Sequence, residues 1–244
     1  MLISVRGLKK SYVSGNISVN ALDNINIDIE YGEFVSVMGP SGSGKSTFMN
    51  ILGCLDRPSG GDYFLAGQHI LSKNDDELAE IRNKNIGFIF QSFNLLPRLT
   101  ALENVALPLI YRGINQAKRT SMAKEALAAV GLFDRMHHLP AELSGGQQQR
   151  TAIARVLAGN PPLILGDEPT GNLDSRSGTE VLDIFQDLNS AGSTIVLVTH
   201  DENIALQTKR MIRFIDGRLQ SDTLIKPASL SILSANKQTT AEVL

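Results

Sequence analysis

Two short stretches carry side chains whose types and spacing could handle phosphate. Gly39 to Thr47 reads GPSGSGKST, which fits G-x-x-x-x-G-K-[ST] at Gly39, Gly44, Lys45 and Ser46. It follows the apolar run FVSVM and precedes a helix-like stretch, the context in which this spacing makes a phosphate loop. Gly39, Gly42 and Gly44, with Pro40, Ser41 and Ser43 among them, let backbone N–H groups close around phosphate oxygens, and the helix start adds partial positive charge. Lys45 is placed to reach the β- and γ-phosphates of a nucleoside triphosphate, and Ser46, with Thr47 beside it, to ligate Mg²⁺. Such an ion wants a carboxylate, and hydrolysis wants a base. LILGDEP, Leu163 to Pro169, ends an apolar run in both, Asp167 and Glu168. Side chains there project into the cleft at a sheet's carboxyl edge, so Asp167 is expected to hold Mg²⁺ and Glu168 to polarise the attacking water. An acidic pair ending a strand is often only a solvated turn; beside a phosphate loop it reads as a metal-and-water site.

A third stretch, LSGGQQQR from Leu143 to Arg150, places two glycines just ahead of the helical run TAIARVLAG, although glycine is a poor helix residue. A flexible loop would account for them. So would a second N–H-rich helix start, with Ser144 as cap and Gly145, Gly146 and Gln147 in the first turn. At this stretch the chain resembles the ATP-binding-cassette ATPases, whose signature reads LSGGQ. The resemblance runs from about Met1 to Asp222, with the motifs in the family's order. It implies ATP as substrate and Mg²⁺ as cofactor. It further implies that Tyr12 stacks on adenine, that Gln91 after IGFIF contacts metal and water and senses the γ-phosphate, that Leu173 and Asp174 form the loop beyond the acidic pair, and that His200 after TIVLVT is the switch histidine. A helical subdomain that carries Ser144 to Gln147 away from the chain's own phosphate loop leaves them only another molecule's nucleotide, hence a head-to-tail homodimer around two ATP. A lone tyrosine more often packs, and any one of the four histidines (His69, His137, His138, His200) is more often a surface residue. His200 stands out by ending a strand beside the expected place of Glu168. Gly166 stands where alanine is common in the family and Gly60-Gly61 where Ser-Gly is usual, the latter expected to alter only a turn; every catalytic position is intact.

GCLDRPSGG (Gly53 to Gly61), FNLLPRLTALENV (Phe93 to Val105) and DEPTGNLDSRSG (Asp167 to Gly178) resemble the branch that powers macrolide exporters and lipoprotein-release machines. This implies an integral-membrane permease with a large extracytoplasmic domain as partner, a periplasmic adaptor as a further one, and a place on the cytoplasmic side of the inner membrane, peripheral through the permease. The apolar run Phe93 to Leu99 follows Gln91 closely and suits a surface gripping that permease. The rival is a non-transport cassette regulating a ribosome, DNA or cell-envelope complex. Such chains carry coiled-coil insertions, tandem cassettes or a basic character. This one has a single motif set, no heptads and a net charge of −2, which also argues against nucleic acid.

These residues need a frame to hold them. The chain has 244 residues, 42% of them hydrophobic, enough for one sizeable core. Its one cysteine, Cys54, fits a reducing compartment, and no apolar run approaches the ~18 residues needed to span a bilayer. Strand patterns at Asn26–Ile29, Glu33–Met38, Ile86–Phe90, Leu163–Gly166 and Thr194–Thr199 alternate with helical ones at Lys45–Leu52, Ala101–Tyr111, Ala117–Val130, Gln147–Ala158 and Ser177–Asn189. The continuous apolar strands predict an α/β phosphate-loop fold with a mostly parallel core sheet. An antiparallel β part lies near the N-terminus, and a helical subdomain spans about 92–158. The ATPase domain is expected over 1–222, and the polar, aperiodic 223–244 as a poorly ordered tail.

Overall fold

A computed structural model describes residues 1–15 and 17–225. β1 (Ile3–Ser14) and β2 (Ile17–Ile29) alternate apolar with polar residues and pair antiparallel, so that Ile3, Val5 and Leu8 lie opposite Ile29, Ile27 and Ile25, all buried. All five residues of β3 (Phe34–Met38) are buried, as a strand covered on both faces requires, and α1 (Lys45–Leu52) follows after the GPSGSG turn. β4 (Gly60–Leu65) and β5 (Gln68–His69) return to β1. Gly61, at φ 83°, belongs to β4 rather than to a free turn: a Cβ there would lie 2.4 Å from the Gly7 carbonyl oxygen.

α2 (Asp75–Asn85) opens with a capping box between Asn74 and Glu77 and leads directly into β6 (Ile86–Phe90). Three α-helices, two single 3₁₀ turns and no strand fill the next stretch. α3 (Ala101–Tyr111) is capped by Thr100, α4 (Gln116–Ala129) by Asn115 and α5 (Gly145–Gly159) by Ser144. β7 (Leu163–Asp167), α6 (Ser175–Ser190), β8 (Thr194–Val198), the short α7 (Glu202–Ala205) and the hairpin β9 (Arg210–Ile215) with β10 (Arg218–Leu224) complete the order.

The core sheet has the order β10-β9-β3-β8-β7-β6, parallel except for the edge strand β10; the second sheet runs β2-β1-β4-β5, wholly antiparallel. One apolar core joins the two sheets through α1, with Phe48, Tyr63, Val198 and Phe214; a second covers the other face of the core sheet with Val105, Leu127, Ile153 and Phe185 from α3 to α6. β10 pairs to Leu224, and Ile225 packs beside Met38, Ala205 and Met211, so ordered structure continues past the boundary expected at residue 222. Residues 226–244, where the poorly ordered tail was expected, lie outside the described residues. No helix among the described residues is long and apolar enough to cross a membrane.

Candidate active site

Register brings the candidates to one edge. Phe90 pairs with Asp167, Asp167 with Val198, and Val198 with Val37. β6, β7, β8 and β3 therefore end level, and the residues that follow are Gln91, Glu168, Thr199 with His200, and Met38 with Gly39. Three interstrand steps of about 4.8 Å separate β3 from β6, so the edge is roughly 14 Å wide, room for a triphosphate.

The phosphate loop is drawn tightly onto its neighbours. At Gly39 (φ 154°) a Cβ would lie 2.2 Å from the Phe214 carbonyl oxygen, and at Gly44 (φ 98°) 2.4 Å from that of Ala21. Ser43 donates its N–H to Pro40 and accepts at its carbonyl from Gly217 in the β9–β10 turn. Lys45 Nζ curls back to the Gly39 and Pro40 carbonyls at 2.7 and 2.9 Å. No side chain caps α1, so its first N–H groups lack a side-chain acceptor. The Ser43 hydroxyl oxygen is buried without a partner, while Pro40, Ser41, Gly42 and Ser46 are exposed and Thr47 is half-buried. An uncapped helix start, an ammonium group and an orphaned hydroxyl together fit an anion such as phosphate.

Asp167 is half-buried, and burial first, then the neighbouring Glu168, push its carboxyl above the usual aspartate range, while Lys45 opposes. A cation would relieve that carboxyl. With the Ser46 hydroxyl and the Gln91 amide it makes an oxygen donor set that fits Mg²⁺ shared with phosphate and water. No group of three or more His, Cys, Asp and Glu that could hold a metal occurs among the described residues, and an ion held largely by phosphates and water needs none. Glu168 sits in the left-handed region, at φ 45°. Its Oε1 accepts the His200 N–H at 2.9 Å and lies 2.7 Å from His200 Nδ1, and its Oε2 accepts the Thr199 hydroxyl at 3.2 Å. The carboxylate is thus largely enclosed and fixed, whereas the His200 ring is mostly open to solvent.

Gln91 makes a reciprocal pair with Asn172: Gln91 Nε2 donates to Asn172 Oδ1 at 3.2 Å, and Asn172 Nδ2 to the Gln91 carbonyl at 3.1 Å. Asn172 falls within the stretch DEPTGNLDSRSG, but nothing in a single sequence marks its pairing with a residue so distant in the chain. Asp174 caps α6, accepting the Arg176 and Ser177 N–H groups and the Ser177 hydroxyl, which hold its carboxyl below the usual range. Leu173 stands close to Gly145. Tyr12 is half-exposed on β1; its hydroxyl donates to Asp56 at 2.8 Å, and its ring carries the Lys10 ammonium at 4.8 Å.

The signature stretch opens α5, which packs in the core on the face of the sheet opposite to that of α1. Gly145 neighbours Phe93, Asn172 and Leu173, and Gly146 neighbours Ser177, whereas Gly39 and Gly44 neighbour Ala21, Leu22, Ser43, Phe214 and Gly217. Ser144, exposed, shares a capping box with Gln147. Gly146 is buried, and a Cβ there would lie 2.6 Å from Ser177 Oγ. The close packing of α5 on α6 thus requires a glycine at position 146 in addition to the phosphate approach that the sequence predicts there.

Phe93 and Asn94 adopt φ of 60° and 50°, and Arg155 donates to both their carbonyls. The fully buried Asn104 bonds Leu96 N, Leu96 O and Leu99 O. Of the apolar residues in Phe93 to Leu99, Leu96 and Pro97 are exposed and the others half-buried. Nearby lies a groove of about 800 Å³ lined by Leu55, Arg82, Phe88 and Tyr111. A smaller cavity, sharing Asn83, Phe88 and Arg112 with it, reaches Asn94.

Comparison with known proteins shows the family and the fold. A family model described as ABC transporter matches residues 22–171. An uncharacterised ABC transporter ATP-binding protein of Bacillus subtilis (strain 168) is 53% identical over 218 residues, 89% of this chain and 95% of the relative. The macrolide export ATP-binding/permease protein MacB of Bdellovibrio bacteriovorus is 51% identical over 97% of this chain, which spans 36% of that protein's length. Among solved structures, an ATP-binding cassette described as a dimer in a post-hydrolysis state bound to ADP and Pi is 46% identical and superposes with a TM-score of 0.85 over 92% of this chain and 99% of that one. With a phosphate loop, an acidic pair and a signature helix on one cassette fold, the chain belongs to the ABC transporter family, as an ATP-hydrolysing cassette.

Proposed function

We propose that the chain hydrolyses MgATP as a head-to-tail homodimer around two ATP. It thereby powers export or extraction of a macrolide, peptide, lipid or lipoprotein by a separate permease at the cytoplasmic face of the inner membrane. The observation that carries this reading is that α5, which Ser144–Gln147 open, packs in the core on one face of the core sheet, whereas α1, which follows the phosphate loop, packs in the core on the other, so a nucleotide on one finds its second contact on another copy. The dimeric, ADP- and Pi-bound relative supports it. The macrolide exporter MacB, named as an ATP-binding/permease protein and 51% identical to this chain, supports a permease as the partner of the cassette.

Lys45 exchanges the Gly39 and Pro40 carbonyls for β- and γ-phosphate oxygens, and the start of α1 donates its free N–H groups to them. Glu168, held by His200 and Thr199, accepts a proton from water as the water oxygen bonds to the γ-phosphorus and the bond to the β–γ bridging oxygen breaks. Ser46, Asp167 and Gln91 would hold Mg²⁺, which when bound neutralises charge on the phosphate oxygens. Tyr12 offers its exposed ring to the base.

Glu168→Gln keeps the shape and removes the base. The variant is expected to bind ATP, to turn it over about 10²- to 10⁴-fold more slowly and to accumulate as a dimer on sizing, monomeric without nucleotide. A variant that stays monomeric at saturating ATP overturns the sandwich. A wild-type chain that co-purifies with ribosomes or DNA, and with no membrane protein, replaces the transporter reading with the regulatory one.

A further inference from the structure

Gln149 lies on α5, two residues beyond the Ser144–Gln147 cap, and is completely buried. Its amide nitrogen donates to the carbonyl of Pro169, the residue after Glu168. Its amide oxygen is buried with no hydrogen-bond partner. An unmet buried acceptor costs stability, so packing alone would favour an apolar side chain of the same length. What the amide adds is the bond to Pro169. A second contact joins the same two regions: Gly146 of α5 packs on Ser177, which hydrogen-bonds Asp174 at the start of α6. Helix α5 therefore grips the segment from Glu168 to Asp174 near both of its ends. Glu168 itself, at φ 45°, sits between two holds: His200 and Thr199 on its carboxylate, and Gln149 on the next peptide.

We infer that Gln149 is a positioning residue that ties the signature helix to Glu168, so that a nucleotide captured at the start of α5 from a second copy sets the base of this chain's own ATP site. The coupling rests on the head-to-tail dimer proposed above. It acts through a helix, which shifts as a rigid rod, and through one hydrogen bond to a residue whose backbone conformation is already uncommon. The two sites of the dimer thereby communicate inside each chain as well as across the interface.

Gln149→Met keeps the length, removes the donor and removes the orphaned oxygen. Measured on the full chain, its melting temperature is expected to stay close to that of the wild type, because the orphaned amide oxygen is removed as the buried Pro169 carbonyl loses its donor, and its KM for ATP to stay the same. Its kcat is expected to fall about 10-fold, equivalent to about 1.4 kcal/mol, the scale of one hydrogen bond. Its Hill coefficient for ATP should drop from about two towards one. A merely structural role predicts the opposite split, in which activity follows stability. If Gln149→Met does not fold, Gln149→Ala is read by the same four quantities. A variant with wild-type kcat and Hill coefficient overturns the inference while leaving the dimer intact. A wild-type chain that neither dimerises nor cooperates overturns the dimer itself and the coupling with it.

Discussion

A carboxyl group shielded from water and set beside a second carboxylate keeps its proton to higher pH than an ordinary aspartate, and Asp167 is such a group. The native state binds that proton more tightly than the unfolded chain. Its contribution to stability is therefore most favourable below the ordinary aspartate range and is lost as pH rises through that range to the raised native value. Asp167→Asn removes the cost. At neutral pH the variant is expected to melt higher, a gain of ~1 kcal/mol being worth about 2–4 °C in a domain of this size, while ATP turnover is lost. A lower melting temperature in a thermal scan would show that the carboxylate helps the fold. Lys45, Asp167, Glu168 and Ser144 were legible in the sequence because each belongs to a contiguous stretch whose internal spacing sets its chemistry. Asn172, Thr199 and Gln149 were not, because each acquires its role from a partner distant in the chain or in a neighbouring loop. Asp174 was read as part of the site, and its immediate duty is to cap α6.

Elements were legible where burial is complete. β6, β7 and β8 are nearly continuous apolar runs, and the helix start at Ser144 has its capping box written in sequence. α2 was missed because its composition is polar and it buries only Leu78 and Ile81. β10 was missed because an edge strand with one half-exposed side has few apolar residues to reveal a period. That strand still matters. Arg210 is held by Asp222 and Glu33, which raise its guanidinium further above its usual range, and by the Asp28 carbonyl, so that the hairpin is bound to β2 and to the residue before β3. A chain ending at Ile225 is expected to match the full chain in ATPase rate and melting temperature. One ending at Ser221 loses Asp222, Thr223 and Leu224 and is expected to melt several degrees lower, since ~1 kcal/mol shifts the midpoint by about 2–4 °C. Equal melting of the two truncations in calorimetry would show that the end of β10 contributes nothing.

For the whole molecule, the question is how closure at one edge reaches a partner at another face. Gln91 begins the connection to α3, and Arg155 and Asn104 clamp the loop beyond it onto the helical layer. Leu96 thus stands exposed on a firm support, and a groove lined by Leu55 and Tyr111 adds further exposed apolar side chains. The sequence predicts the permease contact at Phe93 to Leu99, and the groove at Leu55 and Tyr111 is a second apolar surface for it. Leu96→Asp and Tyr111→Asp should leave the ATP turnover of the isolated chain unchanged and abolish co-purification with the permease. A variant that still co-purifies as well as the wild type moves the contact elsewhere.

The burial of Gly146 against Ser177 also bears on genetics. Among transport-dead alleles, Gly146→Ala would be scored with the dimer mutants, yet its new methyl carbon would stand 2.6 Å from a hydroxyl oxygen and 2.8 Å from a side-chain carbon of its own chain. Replacing that serine by glycine leaves Ser177's former Cα position as the next neighbour, at an ordinary 3.8 Å. Ser177→Gly is therefore expected to act as a second-site suppressor, restoring the folded yield of Gly146→Ala in lysates where Gly146→Ala alone is degraded. If suppression restores yield but not transport, the allele carries two separate defects, and a screen that counts colonies would have recorded them as one.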